Sequence, residues 1–124
     1  MSRAPADGRP GQTVRLPAQA GSSLDDAFRR EVRTRLPRLL AAADLLADTD
    51  PAIAGRAVAQ LRSDVHTLAS SSVIVGAHAA ARVGRECEWL LLAYDDGALP
   101  PEIAAKAAAL ARGVGRALGR WTRG

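Results

Sequence analysis

The chain has 124 residues, enough for one domain, and 48% of them are hydrophobic, enough for a real core. Aromatics make up only 3% and cysteine occurs once, at Cys87, which excludes an aromatic core, an internal disulfide framework and a multi-cysteine metal site. The net charge of +4 comes from the ends: residues 1–20 carry +2, residues 112–124 carry +4, and the body between them carries −2.

A nucleic-acid binder usually places its basic footprint on a folded face, so nucleic acid is not an expected partner of this near-neutral body. Sixteen of the 17 basic residues are arginine and 27 residues are alanine. We read this bias as a property of the coding sequence. Alanine is also the best helix former, so the composition points to an all-helical chain. No segment reaches the roughly 20 apolar residues that span a bilayer. The N-terminus has no apolar stretch of signal-peptide length, so a cytoplasmic protein without a membrane partner is expected.

Residues 1–22 hold Pro5, Gly8, Pro10, Gly11, Pro17 and Gly21 without apolar periodicity, and are expected to form a disordered tail. Ser22 or Ser23 then suits a helix cap, followed by Asp25 and Asp26 at the positive end of the helix dipole. Phe28, Val32, Leu36, Leu39, Ala43 and Leu46 recur at spacings of four and three, which predicts a helix over 23–47 with a kink at Pro37. Asp50 and Pro51 are a cap and a first-turn proline for a second helix, 51–74. Its stripe is Ala54, Val58, Leu61, Val65, Leu68, Ser72 and Val75, and Gly76 ends it.

The third helix, 77–94, carries Ala80, Val83, Cys87, Leu90 and Tyr94, and stops at Asp95-Asp96-Gly97. Pro100 and Pro101 open the fourth, 101–120, with Ile103, Ala107, Leu110, Val114, Ala117 and Trp121 in its seam. Gly113, Gly115 and Gly119 predict fraying at its end. Four amphipathic helices with short connections predict an all-α fold, an antiparallel up-down-up-down four-helix bundle over 23–121 with a C-terminal end at 122–124. The buried set is expected to include Val58, Leu61, Val65, Leu68, Val83, Cys87, Leu90, Ile103 and Leu110.

Chemistry concentrates on the second helix. His66 follows the seam residue Val65 and, at about 100° per residue, projects roughly 130° from the seam centre. It is therefore expected at the surface. Ala59, Arg62, Ala69, Ser70 and Val73 share its flank at offsets of three, four and seven. All but Arg62 are short, so another protein's active site can reach the imidazole. Histidine has an unperturbed pKa of about 6.5 and is nucleophilic near neutral pH. His78 has no comparable surroundings and reads as a surface residue. Cys87 reads as core, and Ser70-Ser71-Ser72 lacks the acid and second histidine of a hydrolytic triad.

The run from His66 through Leu68, Ser71 and Ser72 to Gly76-Ala77 resembles the signature of histidine-containing phosphotransfer (HPt) domains of two-component phosphorelays. Phe28 to Leu46, with Pro37-Arg38-Leu39, is similar to that family's first helix, and Arg85 to Leu90 to its third. The resemblance covers about 23–115. It implies a phosphocarrier, not an enzyme, with no ATP site of its own. His66 would be the phosphoacceptor, and Arg62, Ala69, Ser70, Ala59 and Val73 would form the phosphoryl and partner surface.

The partners implied are a response-regulator receiver domain, which would supply Mg²⁺, and a histidine kinase; no cofactor or metal is expected on this chain. Two positions depart from the pattern. Ala69 replaces the family's lysine and Ser70 its glycine, and Arg62 is the candidate substitute cation. Two other readings compete with the phosphocarrier. One is a pseudo-HPt module that docks a receiver without accepting phosphate, and the other is a basic helical protein that binds nucleic acid through its terminal arginines.

Overall fold

The computed structural model describes residues 18–94 and 97–123, with side chains from residue 23 onward. Four helices are present, α1 (Ala18–Leu45), α2 (Pro51–Ile74), α3 (His78–Leu92) and α4 (Pro101–Arg123), and no strand occurs among the described residues. Each helix packs on the next, and α1 closes the ring against α4. With connections this short, consecutive helices run antiparallel, as in an up-down-up-down bundle.

The ends follow their local chemistry. Asp50 accepts from the Ala52 amide at 2.9 Å, and Pro51 starts α2, where its missing N–H costs nothing. At the other end Gly76 takes φ 78°, and the Ala77 amide reaches back to the Ser72 carbonyl at 2.8 Å. A glycine there satisfies the terminal carbonyls without the strain a side chain would bring.

Two expected boundaries move. α1 begins at Ala18, so residues 18–22 of the tail expected at 1–22 belong to the helix and neither Ser22 nor Ser23 is its cap; the rest of that expected tail, 1–17, lies outside the described residues, as do Asp95 and Asp96. α4 does not fray at its glycines but continues through Thr122 to Arg123. Its last turn is held by α1: Trp121 packs edge-on against Phe28 with ring centroids 5.0 Å apart. Arg29 lies 4.8 Å from the Trp121 ring and donates to the Thr122 carbonyl at 3.2 Å. Pro37 sits inside α1, exposed, and the helix runs through it.

The core follows the predicted stripes on α1 and α2, where Phe28, Val32, Leu39, Leu46, Val58, Leu61, Val65 and Leu68 are buried. On α3 and α4 the buried face is rotated. Val83, Leu90, Ile103 and Leu110 are only half-buried, and the centre is filled by Ala80, Gly84, Cys87 and Leu91 opposite Ala104, Ala107, Ala111, Val114 and Leu118. Small residues let the helix axes approach, and the larger neighbours then cover the edges of the contact.

α2 and α3 cross closely at Ala69 and Gly84. A Cβ placed on Gly84 would lie 3.0 Å from the Ala69 Cβ, tighter than nine in ten real contacts of that kind. One buried charge fixes the other side of α2. The Asp64 side chain is fully enclosed and accepts from Arg35 at 2.9 Å, Arg38 at 2.8 Å and Gln60 at 2.7 Å. Burial alone would raise its pKa, but the hydrogen bonds from Arg38, Gln60 and Arg35 and the charge of Arg38 outweigh that and hold it below the usual carboxylate value.

Candidate functional site

The α2 stripe buries Val65 and Leu68 and turns His66 outward, where 65% of its side chain remains exposed. Its ring is not loose. Nδ1 lies 2.6 Å from Oε2 of Glu88 on α3, whose side chain is largely covered. A carboxylate only accepts hydrogen bonds, so Nδ1 carries the hydrogen; in a neutral ring the lone pair then sits on Nε2. The two residues share a hollow of about 470 Å³ with Ala59, Arg62, Ser63 and Leu92. Arg62 is half-buried there and supplies a cation one helical turn before His66.

The expected flank is partly assembled. Ala59 and Ser70 are exposed and Val73 is half-exposed, as a docking surface requires. Ala69 is not part of that surface. It is 3% exposed and lies under Gly84, because the third residue after His66 falls on the α3 side of α2 where the two helices touch. A lysine at this position would have to force the crossing open. Leu92, half-exposed at the hollow's edge, extends the apolar surface beyond the residues predicted for it.

Glu88 carries the geometry and had no role in the sequence reading. The available signal was a matched offset: His66 follows buried Val65 as Glu88 follows buried Cys87, which puts both on the margin of the same groove. Asp64 was missed too, although it interrupts the apolar row Ala57, Leu61, Leu68 at helical spacing.

The remaining candidates are inert. Cys87 is enclosed, and burial, with the nearby Glu88 charge, pushes its thiol up to about 12. His78 is exposed at the start of α3. No group of three or more metal-binding side chains occurs among the described residues. Ser72 is buried with its hydroxyl unpaired, which fits small-residue packing better than nucleophilic chemistry. No helix of the described residues is long and apolar enough to cross a membrane.

The described residues thus place an exposed histidine on the second helix of a four-helix bundle, in contact with a carboxylate from the third. The family profile of the Hpt domain matches residues 23–118, so the chain belongs to the Hpt domain family. No curated protein and no solved structure matches it significantly. Hpt domains are phosphotransfer histidine carriers of phosphorelays rather than enzymes in the ordinary sense, and they interact with response-regulator receivers and histidine kinases.

Proposed function

We propose that this chain is an active phosphocarrier whose acceptor is Nε2 of His66. The observation that carries the reading is the 2.6 Å contact between His66 Nδ1 and Glu88, which occupies one nitrogen of an otherwise exposed ring and leaves the other as the acceptor. In the forward step the Nε2 lone pair attacks the phosphorus of a receiver's phospho-aspartate. The new N–P bond forms as the P–O bond to the aspartate breaks, and the aspartate leaves as carboxylate. The Nδ1 proton stays in place, so the phosphorylated ring carries a positive charge that the Glu88 carboxylate offsets. Transfer to a receiver is the same path reversed.

Phosphoryl transfer asks chiefly for positioning and charge neutralisation, and Arg62 provides the latter from this chain. The Mg²⁺ and the aspartate pocket come with the receiver. A second reading, a docking module without phosphotransfer, draws support from buried Ala69, since the family's lysine is missing where the helices meet.

The deciding experiment is incubation with a panel of phosphorylated receiver domains. Wild type and His78→Gln should take up acid-labile phosphate, and His66→Gln should not, with circular dichroism unchanged. Labelling of His66→Gln would place the acceptor elsewhere. Receiver binding without any labelling of wild type would establish the docking reading.

A further inference from the structure

A second depression of the surface lies away from His66. It lies between α1 and α4, has a volume of about 510 Å³, and is built in three parts. Leu36 and Leu40, one helical turn apart on α1, form an apolar wall. Gly115 and Gly119 of α4 form the floor. Arg112, Arg116, Arg120 and Arg123 form a ridge along about 16 Å of helix.

The composition of this ridge is unfavourable for an isolated bundle. Residues 112–123 contain four arginines and no acid, and like charges one turn apart repel by a few tenths of a kcal/mol. The negative end of the helix dipole explains Arg120 and Arg123 in the last turn but not Arg112 and Arg116. Arg112 pairs with Asp44 at 2.9 Å. Among the described residues, no carboxylate lies within ion-pairing distance of Arg116, Arg120 or Arg123.

The floor carries a similar cost. Glycine inside a helix loses roughly 0.5–1 kcal/mol relative to alanine. At Gly113 packing explains it, because a Cβ would press on Val83 at 3.2 Å. At Gly115 the nearest atoms to a Cβ would be Leu40 and Leu36 at 3.6 and 3.7 Å, an ordinary contact. The absent side chain there opens the groove.

We infer that the α1/α4 groove is a second docking surface, and that it binds an acidic amphipathic helix of a partner protein. A groove between two antiparallel helices accepts a third laid along it. Carboxylates spaced one turn apart on that helix repeat every 6 Å or so, matching the arginine ridge, while an apolar residue beside them fills the notch at Leu36, Leu40 and Gly115. A nucleic-acid strand matches the charges but brings no apolar side chain for the leucines. The groove lies on α1 and α4, across the bundle from the α2/α3 hollow that holds His66, so its occupant does not compete with a partner at the histidine. The inference does not rest on phosphotransfer.

The test uses the full chain and a fluorescein-labelled 18-residue helical peptide. The peptide carries glutamates at every fourth position along one edge and leucines on the adjoining face. Controls are a scrambled peptide of the same composition and an 18-nucleotide DNA as single strand and duplex. The ordered peptide should bind at least tenfold more tightly than the scramble and the DNA. The double variant Arg116→Glu/Arg120→Glu should weaken it at least tenfold. So should Gly115→Leu, which fills the groove without changing charge. Amide shifts should appear at Leu36, Leu40, Gly115 and Gly119 and not around His66. Equal binding of the scramble, or an unaltered affinity in Gly115→Leu, would reduce the ridge to unspecific charge and overturn the inference. Tighter binding of DNA would make it a nucleic-acid surface, and shifts confined to the His66 hollow would deny a second site.

Discussion

Removal of the Glu88 carboxylate separates the orientation of His66 from its mere exposure. The contact is short, at 2.6 Å, and its two ends differ: 19% of the Glu88 side chain is exposed, against 65% for His66. A hydrogen bond to a charged group contributes about 1.5–3 kcal/mol when enclosed, and solvent on the histidine side brings this one toward about 1–1.5 kcal/mol. That energy favours the Nδ1–H tautomer before transfer and the positively charged ring after it. Since 1.36 kcal/mol corresponds to about tenfold in rate, Glu88→Ala should slow transfer from a phospho-receiver to His66 roughly tenfold.

Glu88→Gln retains an acceptor oxygen without the charge and should fall between, at about threefold. Neither change should cost more than about 1.5 kcal/mol of stability, because the pair is half open to solvent. Initial rates of label transfer measure the first effect. Nitrogen chemical shifts of the His66 ring report the tautomer independently of any phosphate. A Glu88→Ala protein with wild-type rates and an unchanged Nδ1–H tautomer would refute the reasoning.

Four further outcomes are expected. Asp64→Asn should destabilise the fold by about 2–4 kcal/mol in urea titration, because it leaves the paired arginines facing an enclosed neutral group; a loss below about 1 kcal/mol would contradict the burial. The Asp64 carboxyl is held low in the folded state, so its contribution is complete above the usual carboxylate range and disappears as pH falls through that lowered value; acid unfolding of Asp64→Asn should lack this component. Ala69→Lys should cost about 1–3 kcal/mol by overpacking against Gly84 and should not raise the phosphohistidine yield, and a gain in yield with an unchanged melting temperature would mean the crossing is looser than it looks. Cys87 should resist thiol reagents at pH 8 until the protein is unfolded, and rapid labelling of native protein would contradict a thiol enclosed and raised to about 12.

The helices were legible because their signals are local. Asp50-Pro51 and Gly76 fix ends through one or two residues, and the stripe from Ala54 to Ser72 repeats without interruption on α2. The faces of α3 and α4 were legible only in part: Ala80, Cys87, Ala107, Val114 and Ala117 of the expected seams are buried, but the larger Val83, Leu90, Ile103 and Leu110 are not fully so. Alanine is apolar and small enough to fit any side of a helix, so a run such as Ala107-Ala108-Ala109 carries almost no periodic signal, and the larger Leu110 and Ile103 drew the stripe toward themselves. Only the shape of the neighbouring helices decides that alanines face the centre.

The same limit applies to the site. The exposure of His66 follows from its angle to Val65, which one helix determines. Its partner Glu88 and the burial of Ala69 depend on the register between two helices, a quantity that no single segment encodes. The cap expected at Ser22 or Ser23 failed for a different reason: cap propensity is a weak local preference, and the helix continues past it to Ala18.

The departure at Ala69 and the contact at Glu88 are two aspects of one register. α2 and α3 run antiparallel, with Ala69 against Gly84, His66 against Glu88, and Arg62 beside Leu92 in the same hollow. Each step of about one turn along one helix is matched by about one turn back along the other. The crossing at Ala69 and Gly84 is as tight as it is because neither residue carries more than a methyl group. That closeness brings a short carboxylate side chain one turn further along α3 within 2.6 Å of the imidazole. A bulky residue at either crossing position would part the helices and lengthen this contact first, since hydrogen bonds weaken steeply beyond their preferred distance. A lysine at position 69 and a Glu88-bound His66 therefore oppose each other in this bundle, and under the proposed phosphocarrier reading the cation for a phosphoryl group is Arg62, on the side of His66 away from the crossing.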